Sequence, residues 1–107
     1  MGPNNAEVMK MNSKLQSDTL ERLFEALMAL SSQEECYNFF EDLCTITELK
    51  ALSQRYQVAE LLLEGKVYND IVKETGASTA TISRVNRSLS LGNDGYKTII
   101  NRLKKDK

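Results

Sequence analysis

Between Ser78 and Arg87 the chain gathers hydroxyls, one methyl and two guanidinium groups without a single carboxylate: Ser78, Thr79, Ala80, Thr81, Ser83, Arg84 and Arg87. These are groups suited to nucleic acid. Small residues at the start of a helix let its backbone sink into a major groove, hydroxyls meet base edges or phosphates, and arginines further along reach phosphate or guanine. No Asp or Glu occurs between Glu74 and Asp94, so a phosphate backbone would meet no like charge there. Asn69 and Lys73, one helical turn apart, are placed to touch backbone phosphate from the preceding segment.

Other chemistries find little to work with. The chain has no His, which removes the usual base for a Ser or Cys nucleophile, and no glycine-rich phosphate loop follows a strand pattern. Glu34 with Glu35 and Glu41 with Asp42 are adjacent acids, and neighbours on a helix point in different directions. They read as a solvated face. Cys36 and Cys44, eight apart in an apolar helical stretch, are expected to be buried, reduced thiols rather than a disulfide or a zinc site. No catalytic residue, no metal site and no cofactor is expected.

The net charge of −1 conceals an asymmetry. From Asn12 to Glu64 four Lys and Arg stand against ten Asp and Glu, a net of −6, whereas from Gly65 to Lys107 nine stand against four, a net of +5. The second half is the one that would seek phosphate. No apolar run approaches the roughly 20 residues that span a bilayer, and no signal-peptide pattern opens the chain, so a cytoplasmic protein without membrane contact is expected.

The elements that must position these residues are helical. One Pro and five Gly in 107 residues rich in Leu, Glu, Lys and Ala point to an all-α fold of about six helices. Residues 1–12 lack periodicity and read as a disordered arm or expression remnant, with residues 13–107 forming one helical domain. Leu20, Leu23, Phe24, Leu27 and Leu30 mark a first helix capped by Ser17 or Asp18. Ser32 with Glu35 and Thr45 with Glu48 have the form of capping boxes that open a second and a third helix. In the third, Leu49, Leu52, Tyr56, Ala59 and Leu63 form a line that ends at Gly65. So short a chain has few other elements to cover their wide stripes, which predicts an intertwined homodimer through about residues 17–64, the alternative being a monomeric bundle that folds the stripes against one another.

After Gly65 two short segments flank Gly76-Ala77-Ser78, the outline of a helix-turn-helix over about residues 68–89. Ile71, Ala77, Ile82 and Val85 fall where its two helices must touch, which turns the Ser78 to Arg87 groups outward. A last helix, capped by Asn93 or Asp94, would turn Tyr96, Ile99, Ile100 and Leu103 inward.

From about Thr45 to Leu103 this order of features resembles the tryptophan repressor family. The likeness rests on Thr45-Ile46-Thr47-Glu48, Ala51-Leu52, Arg55, Glu60-Leu61-Leu62, Gly65, and above all Gly76-Ala77-Ser78-Thr79-Ala80-Thr81-Ile82-Ser83-Arg84. The chain looks closest to a Gram-positive branch that shares the acidic, aromatic and cysteine run at residues 34–44. The resemblance implies an intertwined dimer that binds double-stranded DNA at half-sites about one helical turn apart, and a transcriptional regulator acting as a repressor. The competing expectation is an interaction adaptor that binds nucleic acid without sequence preference.

The resemblance also implies an effector pocket at Thr45, Arg55, Arg84, Val85 and Ser88. Val85 stands where the family has a glycine that makes room for an indole, while Asp42 and Cys44 replace apolar leucines. A branched side chain in that slot removes volume. Tryptophan is therefore not expected to bind, leaving a different small-molecule effector or none.

Overall fold

The computed structural model describes residues 17–106, which form six α-helices and no strand. The arm expected at residues 1–12 lies outside the described residues. The described residues group into two units that part between Leu43 and Cys44.

The first unit holds α1 (Asp18–Met28) and α2 (Gln33–Leu43). Ser17, with extended backbone, caps α1 by accepting the Leu20 amide at 3.1 Å. Ahead of α2 the Ser32 hydroxyl accepts the Glu35 amide at 3.1 Å, as a capping box requires. The carboxylate reaches one residue further back than expected, and its Oε1 accepts both the amide (2.8 Å) and the hydroxyl (2.9 Å) of Ser31. Two donors on one residue outbid the single amide of Ser32. They hold the Glu35 carboxyl below its ordinary range, the backbone donor contributing most. Neither helix contains a buried residue: Leu20, Leu23 and Leu27 are half-buried, as is Leu30 just beyond α1, and Phe24 and Met28 are exposed.

The second unit is built on α3 (Ile46–Leu63), which packs against α4 (Tyr68–Thr75), α5 (Thr79–Leu91) and α6 (Gly95–Lys105). A complete capping box starts α3: the Thr45 hydroxyl accepts the Glu48 amide at 3.0 Å, and Glu48 Oε1 accepts the Thr45 amide at 2.8 Å. It ends in a Schellman turn, with Lys66 N–H donating to Leu61 O and Gly65 N–H to Leu62 O at 3.1 and 3.0 Å. That turn requires φ of 87° at Gly65, which glycine adopts without strain.

The core consists of Val58, Ala59, Leu61, Ile71, Ala77, Ile82, Val85, Leu89 and Ile100. Of the line expected along α3, only Ala59 is fully buried, and Leu52 is 45% exposed. The helix is apolar on more than one side, and the unit uses the side that carries Val58 and Leu61. Tyr56 packs against this core, where burial and then Glu60 push its phenol up.

The start of α6 also departs from expectation. Asp94 occupies the cap position in left-handed conformation (φ 61°), but its side chain caps nothing and lies 4.0 Å from Lys97 Nζ. Ile100 is buried and Tyr96 half-buried, whereas Ile99 and Leu103 are exposed. These are two neighbouring i, i+4 lines, and α3 covers one of them. The cysteines depart likewise: Cys36 and Cys44 are free but only half-buried.

Candidate nucleic-acid interface

The helix-turn-helix forms over α4, the turn at residues 76–78, and α5. Ile71, Ala77, Ile82 and Val85 are each at most 2% exposed, so the two helices meet on the residues expected to join them. Gly76 makes the turn with φ of 74°, and its amide donates to Val72 O at 2.8 Å. Nothing lies within 4 Å of where a Cβ would stand on Gly76, so its conformation and not crowding calls for glycine.

Ser78 caps α5 from an extended backbone, its hydroxyl accepting the Thr81 amide at 3.1 Å and meeting the Thr81 hydroxyl at 3.1 Å. No acid stands in the first turn of α5, so its free amides and the positive end of its dipole are open to an anion. With Ile82, Val85 and Leu89 buried beneath the helix, Thr79, Ala80, Ser83, Arg84 and Arg87 are exposed on its outer side, together with Ser78 at its start. Thr81 is half-buried and shares in the cap. Among the described residues neither Arg84 nor Arg87 is held in an ion pair, which leaves both guanidinium groups available. Asn69 and Lys73 are exposed on α4.

Of the five residues matched to an effector pocket, one is buried and four are exposed. Val85 is core, packed with Ile71, Ile82 and Val58. Thr45 spends its hydroxyl on the cap of α3, and Arg55, Arg84 and Ser88 are exposed. No hydrogen bond among the described residues joins these four. Two residues that sequence reasoning passed over take part in the turn. Thr75 Oγ1 donates to Ile71 O at 2.7 Å and accepts the Ala77 amide at 3.0 Å, and Gln54 Nε2 donates to Thr75 O at 3.2 Å. The only signal for Gln54 is its polar type on the stripe that continues through Val58 and Leu61. No helix among the described residues is long and apolar enough to cross a membrane, and no cluster of metal-ligating side chains occurs among them.

Comparison with known proteins places this geometry. The sequence model of the family described as Trp repressor protein matches residues 18–104. The chain is 53% identical over 91 residues to the uncharacterized protein YerC of Bacillus subtilis (strain 168), covering 85% of this chain and 88% of that one. Among solved structures, a TrpR-like protein from Eubacterium eligens superposes with a TM-score of 0.85 at 55% identity, covering 87% and 96% of the two chains. A solved chain from Staphylococcus aureus gives 0.83 at 53% identity, covering 85% and 91%.

Proposed function

The chain belongs to the Trp repressor family, and from that premise we propose that it is a sequence-specific transcriptional regulator, a repressor, that binds duplex DNA through α5. One observation carries the reading: the outer side of α5 is free of acid, has both arginines uncovered, and rests on a filled core. Thr79, Ala80 and Ser83 read base edges. Arg84 and Arg87 engage phosphate or guanine, and Asn69 and Lys73 touch backbone phosphate from α4. Residues 13–107 act as one cytoplasmic DNA-binding module, without catalytic activity and without tryptophan as corepressor.

In this reading the working form is a homodimer. Support comes from apolar side chains exposed in the single chain, among them Phe24, Met28, Ile46 and Leu52, and from the lack of any buried residue in α1 and α2. Two copies would present two reading helices to half-sites about one helical turn apart.

The test is selection from genomic fragments by purified protein at about 150 mM salt, followed by competition with scrambled sites. Enrichment of a two-fold related motif that scrambling abolishes is the expected outcome. Binding that ignores scrambling would overturn the regulator in favour of an adaptor whose basic half holds nucleic acid by charge alone.

A further inference from the structure

Gln54 stands on α3 four positions before Val58 and seven before Leu61, so it extends the buried stripe of that helix with a polar end. Its amide reaches the turn of the helix-turn-helix, 21 residues along the chain, where Nε2 donates to the Thr75 carbonyl at 3.2 Å in a half-buried setting. The acceptor is a carbonyl, so the amide nitrogen must face it. Among the described residues no other side-chain hydrogen bond joins two helices.

Thr75 passes the constraint on. It is the last residue of α4, and its carbonyl would otherwise be one of the orphan acceptors of a helix end. Its hydroxyl donates back to Ile71 and accepts the Ala77 amide, so the end of α4 and the approach to α5 are tied at one residue. The core contacts of Ile71, Ile82 and Val85 are non-directional and permit small slides, whereas a hydrogen bond fixes both a distance and an angle.

We infer that Gln54 is a positioning residue for DNA recognition: by tying the turn to α3 it holds α5 at its reading angle in the free protein, so that no small-molecule effector is needed to set that angle. The inference rests on the reading of α5 as the helix that meets DNA. Base-edge contacts from short side chains tolerate little displacement, while long arginines and lysines follow a phosphate that has moved. Loss of the tether therefore lowers specific affinity and spares non-specific affinity.

The test uses the full chain, with the selected and scrambled duplexes as probes and hydrogen exchange at the Gly76 and Ala77 amides as a readout independent of DNA. Gln54→Leu removes the donor; it should exchange faster at both amides, bind the scrambled duplex as wild type does, and lose about fivefold or more on the selected one, the fold-change expected for one net hydrogen bond. Gln54→Glu keeps the shape but opposes a carboxylate to a carbonyl. It should be as weak at pH 8 and recover relative to wild type toward pH 5, as the carboxyl gains the proton it can donate. Wild-type affinity of both variants for the selected duplex, or equal losses on both duplexes, would overturn the inference. Should wild type itself not prefer the selected duplex, the DNA reading fails, and unchanged exchange in Gln54→Leu then overturns the tether separately.

Discussion

The Ser78 hydroxyl closes the first turn of α5 on Thr81, accepting its amide and meeting its hydroxyl, both at 3.1 Å. Of the small residues that open this helix, Ser78 and Thr81 are thus engaged in the cap, and Thr79, Ala80 and Ser83 are left exposed on the outer side. Ser78→Ala should cost about 1 kcal/mol of stability, read from thermal or denaturant melts. Ser78→Asp should keep the cap and the stability yet weaken DNA binding, because it brings a negative charge to the helix end proposed to face phosphate. Undiminished DNA affinity in the Asp variant would mean that the start of α5 does not approach the duplex.

Arginine and hydroxyl substitutions should separate by kind of loss. Arg84→Ala or Arg87→Ala should lower affinity for all sequences and flatten the salt dependence, by about one counterion per phosphate contact removed. Thr79→Ala and Ser83→Ala should leave that slope alone and relax base preference at one position of each half-site. Titrations over a range of salt concentrations with single-base variants of the site distinguish the two.

Gly76, which ends α4, and Gly92, which ends α5, should respond unequally to alanine. Gly76→Ala meets open space but must hold φ of 74°, a cost of about 1 kcal/mol. In Gly92 the backbone is not left-handed, but an added Cβ would strike the Ser88 carbonyl, whose oxygen already accepts the Gly92 amide. Gly92→Ala should therefore be the more destabilising, with the difference visible in denaturant midpoints.

The capping box of α3 ties stability to pH. Thr45 donates its backbone amide to the Glu48 carboxylate, which lowers the folded carboxyl below its ordinary range. A folded value below the unfolded one adds stability that is complete above the unfolded value and is lost as pH falls through the folded one. The gap in melting temperature between wild type and Glu48→Ala should be open at pH 7 and narrow as the solution is acidified below the usual glutamate range. A gap constant with pH would assign the effect to helix propensity instead.

Val85 fills the core beneath α5, which bears on tryptophan directly. Calorimetry should show no saturable heat on adding tryptophan, and the amino acid should leave DNA affinity unchanged. Val85→Ala should destabilise by about 2 kcal/mol, from the lost apolar contact and the space left behind. Saturable tryptophan binding that tightens the DNA complex would sink the corepressor-free reading.

What the residues disclosed in advance follows from what kind of interaction was involved. The caps at Ser17 and Thr45 and the glycine turns at 65 and 76 are local, set by residues within a few positions of one another, and they were legible, whereas Ser78 was expected in the turn and not as a cap. The helix-turn-helix core was legible too, since a short turn leaves its two helices few ways to meet. Along α3, apolar on several sides, periodicity could not say which line would be covered, so Leu52 was expected inside and Val58 was missed. The same ambiguity misplaced Ile99 and Leu103 on α6. The Gln54 contact with Thr75 joins residues 21 apart, and no spacing rule reaches that far.

The outer side of α5 offers arginine, threonine, serine and alanine, and the chain has no histidine anywhere. An imidazole is the side chain that ordinarily gains and loses charge near neutrality, and this surface has none. If α5 is the helix that reads DNA, as proposed, recognition there does not turn on a histidine charging as a cell's interior drifts in acidity.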